Sequence, residues 1–237
     1  MIDLLQPELT VEPRPTDPDS ARYVRSYLVM RIFVGALGVT LPFILVLSDG
    51  LAFDGDPFPH GSLSAYYYSG ARELFVGALS AIGVFLFTYK VADRTLDNTL
   101  SVLAGFAVAA VAIFPTGPPP EGTDLTPLQD LLGESVVTTI HYVSAAVFIA
   151  SLAVISFFFG VREGSRAPRQ GRRSPTFWRW YHWSCAGTIV VALLWIAVTQ
   201  TVGSPDKALL IGEAVAVWAF GASWLMKGFE LDTLLGR

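Results

Sequence analysis

The chain has 237 residues, 52% hydrophobic and 15% charged, with formal net charge −4 and mean hydropathy +0.51. Soluble domains run at about 45–50% apolar and about 25% charged, so composition disfavours a cytosolic enzyme, a nucleic-acid binder and a secreted disulfide scaffold. The single cysteine, Cys185, has no partner for an internal disulfide and leaves the redox compartment undefined.

Residues 1–25 mix Pro7, Pro13, Pro15 and Pro18 with Asp3, Glu8, Glu12, Asp17 and Asp19. With neither a basic start nor an apolar run, the stretch does not read as a cleavable signal. It reads as a polar tail with too little apolar surface to fold alone. Residues 27–47 form the first long apolar run, and 21 residues at helical rise span about 31 Å, the thickness of a hydrocarbon core. Pro42 lies inside it; the backbone bond it removes from Gly38 bends the helix or leaves a carbonyl for a ligand.

Five further runs follow, at 71–89, 97–114, 136–159, 183–201 and 208–226. The second and third have short apolar centres and reach spanning length by taking in Ala71 to Glu73 and the N-cap candidate Asp97. Pro115 ends the third. Continuous rather than alternating apolar residues exclude a β-barrel. The expected fold is therefore all-α, a polytopic bundle of six transmembrane helices over 26–228 with a second polar tail at 229–237. No repeat relates its two halves. Small residues recur at helical spacing, at Gly77 and Ala81, Gly105 and Ala109, Gly212 and Ala216, as close helix packing requires.

Six spans put fourteen basic residues on one face: Arg14, Arg22, Arg25, Arg31, Lys90, Arg94, Arg162, Arg166, Arg169, Arg172, Arg173, Arg179, Lys227 and Arg237. Only Arg72 and Lys207 fall opposite. This asymmetry makes both termini cytoplasmic. The connection 162–183 sets its arginines beside Phe177, Trp178, Trp180, Tyr181 and Trp183. Arg169, Arg172, Arg173 and Arg179 are its candidate contacts to anionic lipid, and positive-inside topology accounts for the charge without nucleic acid. The opposite loops are acidic, carrying Asp49, Asp54, Asp56, Glu121, Asp124, Asp130, Glu134 and Asp206. Within them Thr126, Pro127, the leucines 128, 131 and 132, and Gly133 spell a short capped amphipathic helix.

Ionisable groups inside a bilayer are costly and mark candidate sites. Glu213 lies six residues into the last run, about 9 Å below its outer end. A carboxylate there takes up a proton or needs a cation, a histidine or a metal beside it. His141 and His60 fall on the same outer side, with Asp49, Arg72, Glu73, Gln200, Ser62, Ser64 and Tyr66 to Tyr68. The ligand-binding candidates are Glu213, His141, Arg72, Glu73, His60, Tyr67 and Gln200; the tyrosines also fit an interfacial belt. Zinc hydrolysis could draw on His60, His141 and Glu213, but no HxxxH or HExxH pair exists, and residues 212–218 lack the paired histidines of the ceramidase and adiponectin-receptor superfamily. No lysine sits deep enough for a retinal Schiff base, no GxSxG elbow appears, and no inner-half acid continues a proton path from Glu213 and His141. No catalytic residue, metal or cofactor is assigned.

The stretch SLSAYYYSGARELFVGALSAIGVFLFTYK at 62–90, EAVAVWAFGASWLMKG at 213–228, FPT at 114–116 and IHY at 140–142 resemble an uncharacterised group of bacterial six-helix integral membrane proteins. The resemblance spans about residues 34–228 and implies a multi-pass protein of the bacterial inner membrane rather than an activity. In helix number and loop layout the chain is also similar to DRAM- and Sfk-like membrane proteins. The expected function is non-enzymatic binding of a lipid headgroup or small ligand in an outward-facing polar cavity. A metal-dependent lipid hydrolase or amidase and a structural or accessory subunit are the alternatives. Membrane lipids are the expected partners, with a homo-oligomer or small-molecule ligand open beside them and nucleic acid not expected.

Overall fold

The computed structural model describes residues 18–52, 58–89, 96–166, 168, 173–202 and 207–228. Among them are seven α-helices and no strand: α1 (Pro18–Ala52), α2 (Arg72–Thr88), α3 (Leu96–Ile113), α4 (Pro127–Leu132), α5 (Glu134–Gly164), α6 (Pro175–Val202) and α7 (Ala208–Gly228), with a 3₁₀ turn at Ser64–Tyr68. Four segments are long and apolar enough to cross a membrane: Leu28–Ala52, Glu134–Gly164, Pro175–Val202 and Ala208–Lys227. Such helices satisfy their own backbone groups, as a bilayer demands, and this is a helical membrane protein. The helix at Asn98–Ile113 is apolar but shorter, and α2 has 17 residues.

Local signals fix several boundaries. Ser174 Oγ accepts from Phe177 N–H at 3.2 Å, ahead of Pro175 in the first turn of α6. The short helix expected after Thr126 is α4, opened by a reciprocal capping box of Thr126 and Gln129 with Pro127 behind it. Gly133, at φ 87°, lets the chain turn directly from α4 into α5.

Other boundaries differ from expectation. Helix α1 begins at Pro18, inside the stretch expected to be a polar tail, and ends at Ala52 rather than 47. Once nucleated, a helix propagates beyond its apolar run at little cost. For the same reason α5 and α6 enter the expected connection 162–183 from both sides and carry Trp178 to Trp183 within a helix. Pro42 interrupts α1 nowhere. Beside it, Trp218 stacks on Phe43 at 5.1 Å and donates its indole N–H to Val39 O at 3.0 Å.

The six longer helices close a ring: α1 packs on α2, α2 on α3, α3 on α5, α5 on α6, α6 on α7, and α7 back on α1, with α5 also touching α7 across the middle. Glycines set the tightest contacts. A Cβ on Gly221 would lie 2.8 Å from Val39 Cγ2 and 3.0 Å from Gly35 O, joining α7 to α1. On Gly160 it would lie 2.4 Å from Trp183, joining α5 to α6, and on Gly105 it would lie 3.2 Å from Gly83 O, joining α3 to α2. Gly212 likewise meets Ile196 and Trp195. Gly77, expected at such a contact, faces open space. Asp49, residues 60–68, Phe114, α4 and Lys207 gather at one end of the ring, here the acidic end; Arg31, Tyr89, Glu163, His182 and Lys227 gather toward the other, the basic end.

Candidate functional site

The loop entering the 3₁₀ turn forms a strap across the acidic end. His60 Nε2 donates to Asp49 Oδ2, in the last turn of α1, at 2.9 Å. Gly61 O accepts from Leu210 N–H of α7 at 2.9 Å, and Leu63 N–H donates to Glu213 Oε2 at 2.6 Å. The Ser64 hydroxyl bonds the same carboxylate. The strap thus ties the end of α1 to the first turns of α7. His60 also meets Tyr66 edge-on, ring centres 4.7 Å apart. Asp49 is 2% exposed, and its Oδ1 is buried with no hydrogen-bond partner. A donor on that oxygen is what burial of a carboxylate demands.

Glu213 therefore meets its need for donors from the backbone and a serine. Among the described residues the ion pairs are His60–Asp49, Arg166–Glu163 and Lys227–Glu163, none at Glu213. The other expected ligand residues are not gathered around it. Arg72 donates to Tyr67 Oη at 2.8 Å and lies over the Tyr67 ring at 4.3 Å. His141 is 1% exposed, its Nδ1 2.7 Å from Phe114 O, so it secures the end of α3 to α5. Glu73 and Gln200 are exposed. Tyr66 and Tyr67 are buried in the core and form no interfacial belt. Tyr68 donates to Thr116 O at 2.6 Å and accepts from Gln129 Nε2 at 3.0 Å, holding α4 down as a cap. Burial pushes the Tyr68 phenol above its ordinary value, against the opposing pull of the Gln129 bond. A shallow open groove of about 550 Å³ lies beside that cap, lined by Gly117, Pro118, Glu134, Ser135, Thr138, Thr139 and Tyr142, away from Glu213. Among the described residues no group of three or more His, Cys, Asp or Glu side chains converges to hold a metal.

The basic end contains what the sequence reading missed. Arg31, counted there as a flanking charge, is 6% exposed; it donates to Tyr89 Oη and lies 5.2, 5.7 and 5.9 Å from the ring centres of Tyr89, Phe159 and Trp224. Such a cage stabilises a desolvated cation. Lys227 and Glu163 pair directly, each 4% exposed, and Arg166 reaches the same carboxylate at 2.8 Å. Glu163 is thus a buried acid in the half where none was expected. His182 Nδ1 lies 2.9 Å from Ser223 Oγ, tying α6 to α7. One sequence signal was available: Arg31 falls four residues inside the apolar run 27–47. Glu163 gave none, because neighbouring Arg162 and Arg166 make it look like a solvated loop.

Of the arginines expected at lipid, Arg173 is exposed with its guanidinium 4.6 Å over Phe177, and Arg179 packs against Gly164 and over Trp183 at 5.6 Å. Arg169 and Arg172 lie outside the described residues. No protein-family model, curated protein or solved structure matches the chain. Function is accordingly argued from these residues.

Proposed function

We propose that the chain is a six-span protein of the bacterial inner membrane, both termini cytoplasmic, that binds a lipid headgroup or small polar ligand at its acidic end without catalysing a reaction. The observation that carries this reading is the strap: one loop binds two carboxylates, Asp49 near the end of α1 and Glu213 in the early turns of α7. Polar groups placed there by a rigid ring are suited to fixing a headgroup. At the opposite end Arg173 and the rings of Phe177 and Trp180 suit anionic headgroups, at about 1 kcal/mol per arginine.

The test is thermal unfolding of the purified full chain in nanodiscs of identical acyl chains and different headgroups, and in detergent with soluble headgroup analogues. The wild type is expected to melt at a headgroup-dependent temperature, and Glu213→Leu, which removes the acceptor of Leu63 N–H, is expected to lose that dependence. Glu213→Gln retains an acceptor oxygen and controls for folding. A melting temperature indifferent to every headgroup and analogue defeats the proposal.

A further inference from the structure

Asp49 sits three residues from the C-terminal end of α1, where unbonded carbonyls already make the surroundings negative. No basic residue occupies that last turn. Its side chain is 2% exposed, Oδ2 is taken by His60, and Oδ1 is buried without a partner. A second carboxylate, Glu213, is held by the same strap through Leu63 and Ser64, and Tyr66 closes one side by its edge-on contact with His60. A water on Oδ1 would supply a hydrogen bond but no charge, leaving His60 as the nearest group able to balance the carboxylate. A cationic N–H group supplies both, through the stronger, charge-assisted bond.

We propose that the strap site takes an ammonium group, with Asp49 Oδ1 as its acceptor and His60 as the residue that holds the carboxylate in place. This inference rests on the ligand-binding reading above and adds the chemical class of the ligand. An amine of this kind is carried by an ethanolamine headgroup and by free alkylamines alike. His60, about a third exposed, marks the approach to the site from water.

The experiment follows the melting temperature of the full chain in detergent against ethanolamine, methylamine and, as a neutral control, glycerol at constant ionic strength. A parallel arm compares phosphatidylethanolamine with phosphatidylglycerol nanodiscs. Saturable stabilisation by both amines and not by glycerol is expected, with half-saturation raised tenfold or more in Asp49→Asn, whose carbonyl can still accept from His60. Stabilisation by ethanolamine in detergent without a phosphatidylethanolamine effect identifies a free amine; both effects together identify the lipid. The wild-type titration decides the matter even if Asp49→Asn does not fold. Absence of amine stabilisation, equal stabilisation by glycerol, or an unchanged response in a folded Asp49→Asn overturns the ammonium site. If phosphatidylglycerol then stabilises where phosphatidylethanolamine does not, headgroup binding survives; if no headgroup has any effect, both proposals fall.

Discussion

Lys227 and Glu163 show how much a single charge inside this bundle depends on its neighbour. Both are nearly inaccessible, and each would be expensive to bury without an opposite charge. Replacing Lys227 by Met leaves the Glu163 carboxylate to the partly exposed Arg166 and is expected to cost about 1–3 kcal/mol of stability. The double replacement Lys227→Met with Glu163→Leu is expected to cost less than the sum of the two singles. Chemical unfolding of the four proteins in detergent measures the coupling, and strictly additive losses refute it. Arg31 is a different case, enclosed by the Tyr89 hydroxyl and the three rings of Tyr89, Phe159 and Trp224. These two solutions explain why residue counting was a poor guide at the basic end. A lysine or arginine near a helix terminus has the same sequence signature whether it reaches water or folds back into the bundle.

At the scale of elements, helix existence was legible because long apolar runs are a one-dimensional signal. The α4 cap was legible as well, since Thr126, Gln129, Pro127 and Gly133 act on their own backbone neighbourhood. Pairing between helices was not. Gly77 has Ala81 four residues on yet faces open space, whereas Gly221, with Val217, Trp218, Trp224 and Leu225 at the corresponding spacings, lies 2.9 Å, by its would-be Cβ, from the Val39 backbone. Small-residue spacing misses the Gly221 contact because it is made with a helix some 180 residues away, as the Trp218–Val39 bond also illustrates with a separation of 179. Gly221→Ala is therefore expected to push α7 off α1 and cost about 1–3 kcal/mol. Gly77→Ala is expected to be neutral or to stabilise by up to about 1 kcal/mol through helix propensity. Melting curves of the two variants check this, and equal effects would count against the α1–α7 contact. The candidate site divided along the same line: each polar residue was identifiable, but the separation of His141 onto Phe114, Arg72 onto Tyr67 and Glu213 onto the strap is a tertiary fact.

For the whole molecule, the ring alternates direction, so Arg31 of α1, Tyr89 after α2, Glu163 of α5 and Lys227 of α7 share the basic end. With six crossings this predicts that a reporter active only in the cytoplasm works when fused at either terminus and fails when inserted between α6 and α7. Activity of the internal insertion together with silence at the C-terminus would mean that α7 does not cross. The short α2 and α3 are covered by their neighbours along the ring, with Ile82, Phe85, Leu86, Ala104 and Val108 buried. Packing of this kind allows helices of modest length to complete a bundle whose longer members carry most of the contact with lipid.

Closure of α7 onto α1 also has a temporal side. Helices α1 and α7 are partners far apart in the chain, so Arg31 is synthesised long before Trp224, one of the three rings around it. At roughly 5–20 residues per second the wait is on the order of 10–40 s. Throughout that interval the nascent protein carries an arginine in its opening transmembrane segment without its final cover, and a strap with no α7 to grip. A chain that stops before α7 lacks Trp224 over Arg31 and leaves the strap without Leu210 and Glu213 for good.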